Sequence, residues 1–166
     1  MNLSSKQKFY KDTLLSKDFF LVKGYGYQHL STNKDDETGK VNIVYINKAI
    51  EREAEFCFIP FNAKNEEHDL IRLNIIKDAN SFINLQNYLR YKNIEGFTRV
   101  SVSTPEEYYN ELRKSNPFYL INIQGDFIYQ LRYFLDYIEK ISNKYLKKIL
   151  EGKDWEEIPF DWGPYK

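Results

Sequence analysis

Residues Val41–Ile59 read VNIVYINKAIEREAEFCFI, and the reading of the middle of this stretch decides the fold. In VNIVYIN, Val41, Ile43 and Tyr45 alternate with Asn42, Val44 and Ile46. That period of two is a strand's, and apolar residues on both sides of it predict a strand buried largely on both faces. The segment Lys48–Phe56, KAIEREAEF, fits either a helical turn or a wide hairpin. The hairpin is preferred, because EFCFIPF (Glu55–Phe61) follows at once with aromatic alternation, and Pro60 would end a helix. His68–Ile76, HDLIRLNII, then supplies the next strand.

Working outward, Ser4 or Ser5 caps a short helix to about Leu15, with Tyr10 and Leu14 on one face at i and i+4. Asp18–Tyr27, DFFLVKGYGY, is expected as a strand loosened by Gly24 and Gly26, and Ser31–Lys40, STNKDDETGK, as a polar turn. Downstream, Asp78 is expected to cap a helix carrying Phe82, Leu85 and Leu89 and ending at Gly96. FTRVSV (Phe97–Val102) reads as a strand. Thr104, Pro105 and Glu107 give an N-cap, a first helical residue and the returning partner of a capping box. Pro117 stops that helix, FYLINI (Phe118–Ile123) reads as a strand, and a long helix runs from about Asp126 to Leu150 with Gly152 as its C-terminal cap.

This order predicts an α+β fold. A single mixed, mostly antiparallel sheet of five to six strands carries helices packed mainly on one face, and a long C-terminal helix is followed by an extended arm. Residues 1–152 are expected to form one domain and residues 153–166 the arm docked on it; no internal repeat or low-complexity linker suggests a second domain.

Composition narrows the function. The 166 residues suffice for one core without disulfides or metals. The 24 basic and 24 acidic side chains cancel, which argues against general nucleic-acid binding. The amino-terminal stretch has no apolar h-region and no later run approaches the length of a membrane span, so a cytoplasmic protein without membrane contact is expected. Only Cys57, His29 and His68 are available as soft ligands, too few for a zinc arrangement, and neither metal nor cofactor is expected.

Candidate catalytic groups are scattered. Cys57 lies between Phe56 and Phe58 with no cation or helix N-terminus nearby in sequence to activate it. His68 reads as a solvated turn residue, and His29 has no carboxylate beside it. Glu51, Glu53 and Glu55 would share one face, where exposed like charges on an edge strand discourage sheet-to-sheet association. NKDDETGK departs from a calcium loop because Thr38 stands where the sharp-turn glycine belongs, and GYGY lacks the rest of a phosphate cradle. No catalytic residue is assigned.

The aromatic share carries more information, with 14 Tyr and 12 Phe beside a single Met. On the last helix Ile128, Leu131, Phe134, Leu135, Ile138, Ile141, Tyr145 and Ile149 form a stripe that must face the sheet. Tyr129, Tyr133 and Tyr137 recur at i, i+4 and i+8, beginning opposite that stripe and drifting to its flank. They are candidate partner-contact residues, since tyrosine is enriched where proteins meet. Both tryptophans lie in the tail, DWEEIPFDWGPYK (Asp154–Lys166). Ile158 precedes Pro159 and is held extended, which places Ile158, Phe160 and Trp162 on one side. Trp155, Phe160 and Trp162 join the tyrosines as candidate partner-binding residues.

A small, neutral, aromatic-rich α+β plan without a catalytic constellation resembles that of many bacterial immunity proteins, which block a cognate toxin by covering its active site. The resemblance is of type; it rests on no motif and carries no site residue over. It implies a non-enzymatic domain that binds another protein, monomeric or homodimeric. The alternatives are an enzyme, a hydrolase or nuclease, whose site assembles only in three dimensions, and a self-associating structural protein.

Overall fold

A computed structural model describes residues 2–61, 68–98 and 104–159. Ser4 opens helix α1 (Ser5–Leu14) with a reciprocal capping box: its hydroxyl accepts from the Gln7 N–H at 3.3 Å, and its own N–H donates to Gln7 Oε1 at 2.7 Å. Five strands follow in chain order, β1 (Gln28–Lys34), β2 (Val41–Asn47), β3 (Arg52–Ile59), β4 (Leu70–Asp78) and β5 (Ser81–Asn84), and they pair in that same order. Every ladder is antiparallel. The Lys48–Glu51 segment is the turn of a β2–β3 hairpin, with Asn47 opposite Arg52.

The register sorts the sheet's side chains into two faces. Three cross-strand rows are buried: Val41–Phe58–Ile71, Ile43–Phe56–Leu73 and Tyr45–Ala54–Ile75–Ile83. The opposite face carries Asn42–Cys57–Arg72, Val44–Glu55–Asn74–Asn84 and Ile46–Glu53–Ile76–Phe82, and remains partly exposed. Burial of each large side chain in the inner rows is worth about 1.5–3 kcal/mol, so a one-residue slip is strongly penalised. VNIVYIN is therefore buried on one face, not both. β3, expected as an edge, is the central strand: its acids Glu53 and Glu55 project between flanking strands, and Asn74 Nδ2 donates to Glu55 Oε2 at 3.0 Å.

The helices gather over the inner rows. Tyr10 of α1 packs on Phe58 at 5.2 Å between ring centroids, and the buried Tyr45 hydroxyl donates to the Leu14 carbonyl. DFFLVKGYGY, expected as a strand, contains helix α2 (Phe20–Tyr25). Gly26 at φ 70° ends it, and Phe19 and Phe20 on the entering turn are buried, Phe19 stacking on Tyr45 at 5.3 Å. Core packing of consecutive aromatics, which no strand could point the same way, overrides the local β propensity. The polar turn begins at Asp35 rather than Ser31, where Asp35 Oδ1 accepts from the N–H groups of Glu37 and Thr38. Ser31–Lys34 are instead in β1.

Asp78 plays a different part from the one its sequence context suggests. It caps no helix; its carboxylate accepts from the Asn80 N–H at 2.9 Å inside the tight β4–β5 turn, and β5 places Ile83 in the core while Phe82 is 48% exposed. Helix α3 (Leu85–Tyr91) begins later, capped by Asn84, whose Oδ1 accepts from the Asn87 N–H. Helix α4 (Pro105–Arg113) starts where its signals predict, with Thr104 Oγ1 accepting from the Glu107 N–H at 3.2 Å. The expected strand Phe97–Val102 falls mostly on residues 99–103, outside the described residues; Phe97 and Thr98 themselves are not in a strand.

FYLINI makes a single bridge, Tyr119 to Leu70, and then a 3₁₀ turn (Leu120–Asn122). Asn122 explains the curl: its side-chain amide turns back to donate to the carbonyls of Arg113 and Asn116 at 2.7 and 2.8 Å. Helix α5 (Phe127–Ile141) then continues through a π turn (Ser142–Leu146) into α6 (Lys147–Leu150), and Gly152 at φ 70° ends the run. The π turn adds one residue to the repeat, so the core position after Ile141 falls to Leu146 and not to Tyr145, which is half-buried. Ile128, also expected in the stripe, sits one turn too early and is 44% exposed.

Beyond Gly152 the described arm lies against the inner-face end of β3 and β4. Trp155 is half-buried beneath the Arg52 guanidinium at 5.0 Å, Glu156 meets Lys92 at 2.5 Å, and the Pro159 carbonyl accepts from Asn87 Nδ2 at 3.0 Å.

Candidate tyrosine groove

Helix α5 projects its tyrosines at i, i+4 and i+8, so they stand in a row along one flank. Tyr129 and Tyr133 are 56% and 51% exposed, with ring centroids 6.3 Å apart and planes tilted by 30°. Tyr137, one turn further, is half-buried, as its position at the core margin requires. Its hydroxyl is buried and makes no hydrogen bond among the described residues, and burial, then the neighbouring Glu95 and Tyr133, push its pKa well above the ordinary tyrosine range. It remains a neutral phenol.

Facing this row is the chain between α4 and α5. Ser115, Pro117 and the segment 122–124 form the second wall of a groove of about 420 Å³. Side-chain amides hold that wall. Asn116 is buried; its Nδ2 donates to the Leu112 carbonyl at 2.9 Å and to Gln86 Oε1 at 3.2 Å, while its Oδ1 accepts from the Phe118 N–H at 2.9 Å. Asn122 adds its two bonds to the same corner, and Gln130 of α5 donates across to the Ile123 carbonyl at 3.0 Å. Ser115 is held at φ 54°, a left-handed conformation that is unfavourable for a residue with a Cβ. Strain of this kind persists where the surroundings over-determine it, and often at functional sites.

At the helix start, Gly125 at φ 117° allows Tyr129 to close over the backbone, and Asp126 caps by accepting from the Tyr129 N–H at 2.9 Å. At the other end, Tyr145 and Lys144 both reach Glu95 Oε1, at 2.8 and 3.1 Å.

The remaining candidates are dispersed. Trp155 donates from Nε1 to Glu157 Oε1 at 2.7 Å and contacts Arg52 and Lys77, none of which lines the groove. Phe160 and Trp162 lie outside the described residues. Cys57 is half-buried on the partly exposed face of the sheet, and desolvation, with Glu55 adding to it, raises its thiol to about 11. His29 bonds Thr32 Oγ1 at 2.9 Å within β1 and stands opposite Tyr45, not opposite Asn42, the β2 partner of Cys57. Among the described residues no group of three or more metal-ligating side chains converges, and no helix is long and apolar enough to cross a membrane. The sequence reading found the tyrosine row but missed Ser115, Asn116, Asn122 and Gln124. Their only mark is a cluster of turn-forming residues around Pro117.

No family model, curated protein or solved structure matches the chain.

Proposed function

We propose that the protein is a non-enzymatic protein-binding domain of inhibitor type whose contact surface is the tyrosine groove. The observation that carries this reading is the pairing of two tyrosines, each more than half exposed on a regular helix, with an opposite wall fixed by its own hydrogen bonds. Rigid aromatic side chains lose little entropy when a partner covers them, and a preformed wall reduces the ordering cost further. The groove is lined by no carboxylate, imidazole, amine or guanidinium among the described residues, which favours recognition over proton transfer. In this role the domain acts by occupying a surface of its target.

The test is site-specific photocrosslinking in cells of the source organism, with p-benzoylphenylalanine replacing Tyr133 or, as control, Phe82 on the opposite face of the sheet. A discrete adduct from position 133 and not from 82, lost when Tyr129 is also changed to Ser, is the expected result. Equal adducts from both positions, or none from 133, overturn the reading.

A further inference from the structure

Resting on that reading, the groove's chemistry also points to what enters it: we propose that the partner presents an uncharged, proline-rich segment in the polyproline II conformation. Three features of the walls select this ligand. No charged side chain lines them among the described residues, so a strongly acidic or basic peptide gains nothing there and loses hydration.

The second feature is hydrogen-bonding polarity. Of the loop's carbonyls, those of Arg113, Asn116 and Ile123 accept from Asn122 and Gln130, and that of Phe118 accepts from the Ile71 N–H. Ser115, Gln124, Tyr129 and Tyr133, which line the groove, each carry a donor and an acceptor. A strand or an unwound ordinary peptide brings N–H groups as well as carbonyls, and each needs a partner as it leaves water. A run of prolines has no N–H and brings only carbonyl oxygens, which the wall's donors can meet, so fewer groups need partners on binding.

Shape is the third feature. Eight residues of α-helix separate Tyr129 from Tyr137, about 12 Å along the axis, and a polyproline II helix covers that length in about four residues at roughly 3.1 Å each. Pyrrolidine rings are compact and apolar and stack well on tyrosine faces, and Pro117 and Ile123 add apolar surface on the loop wall. Grooves lined by aromatic residues take proline-rich segments in this way because the ligand is preformed and loses little entropy. A helical ligand, by contrast, wants a groove lined by aliphatic side chains, and here Ile123 is the one branched aliphatic residue among the described residues of the lining.

The test uses the full chain, ¹⁵N-labelled, titrated with blocked octaproline, with a blocked (Gly-Ser)₄ peptide and maltohexaose as comparators. Saturable shifts confined to residues 115–137, with a dissociation constant of about 1 mM or tighter, are expected for octaproline alone. Tyr133→Ala should weaken them by about tenfold or more, and Tyr133→Phe, which keeps the ring and removes the donor, by a few-fold. The spectrum of each variant without ligand reports whether it is folded. No shifts with octaproline, equal shifts with the Gly-Ser peptide, shifts only with the oligosaccharide, or identical titrations in Tyr133→Ala each overturn the proposal. If octaproline fails while crosslinking at position 133 still captures a discrete protein, the ligand class is wrong and the binding role survives; if both fail, both fall.

Discussion

Gly125 lies directly beneath the ring of Tyr129: a Cβ at position 125 would stand 2.8 Å from Tyr129 Cδ1, with φ at 117°. Nothing but glycine fits both the contact and the backbone angle. Gly125→Ala should therefore destabilise the protein by about 1–3 kcal/mol, read from urea unfolding, and push the Tyr129 ring away from its place in the groove. Because part of the cost is steric and part is backbone strain, combining it with Tyr129→Ala should recover only the steric share. Full additivity of the two changes would show that the ring and the glycine do not touch.

The arm should be held by packing more than by charge. Trp155 sits under the Arg52 guanidinium at 5.0 Å with Lys77 at 5.8 Å, whereas the Lys92–Glu156 pair is 33% and 40% exposed. Trp155→Ala is expected to cost about 1–3 kcal/mol, from lost burial and lost cation–π attraction. Glu156→Gln should cost under about 1 kcal/mol and lose even that in high salt. Unfolding curves of both variants at low and high ionic strength decide it; a larger effect for Glu156→Gln would make the arm an electrostatic latch instead.

What the sequence made legible follows from how local each cause is. The β2–β3 hairpin, the cap at Thr104, a cap at Ser4 or Ser5 and the start of the long helix near Asp126 are written in neighbouring residues, and the structure places them there, with Ser4 as the first cap. The tyrosine row was visible because helical spacing alone fixes it. Asp78 misled because a carboxylate can cap a turn of strand as readily as a helix, and the deciding fact, Ile83 completing the row Tyr45–Ala54–Ile75, is a matter of register. DFFLVKGYGY misled because its turn into a helix lays Phe19 on Tyr45 and Phe56, residues on later strands, and buries Phe20 beside it. The loop wall was invisible for a related reason. Asn116 reaches Gln86 and Leu112, and side-chain amides that close a corner leave no periodicity.

Glu95 links the loop after α3 to the π turn and should leave a pH signature. The Tyr145 hydroxyl, and after it Lys144, hold its carboxyl below the usual glutamate range. A carboxyl whose pKa is depressed by folding stabilises the native state above its unfolded value, near about 4.3, and loses that contribution as pH falls through the lower folded value. The difference in unfolding free energy between wild type and Glu95→Gln should thus be widest near neutrality and narrow to a plateau in acid. A difference that grows with acidity would place Glu95 in a different electrostatic setting.

Cys57 should be a slow thiol. Its place on β3 beside Glu55, in a half-buried position, raises its pKa to about 11 from the ordinary 9.0, mainly through desolvation and then through the nearby carboxylate. The thiolate is the reactive form, so two units leave about a hundredfold less of it at neutral pH than an ordinary cysteine has. Alkylation by iodoacetamide at pH 7.5 should be slower than that of the urea-unfolded chain by about that factor, rising with pH towards the raised pKa. Glu55→Gln should accelerate it modestly, since the carboxylate is the smaller cause, and leave the fold intact. Rates equal in the native and unfolded chains would mean that Cys57 is neither shielded nor charge-opposed, and would return it to consideration as a reactive group.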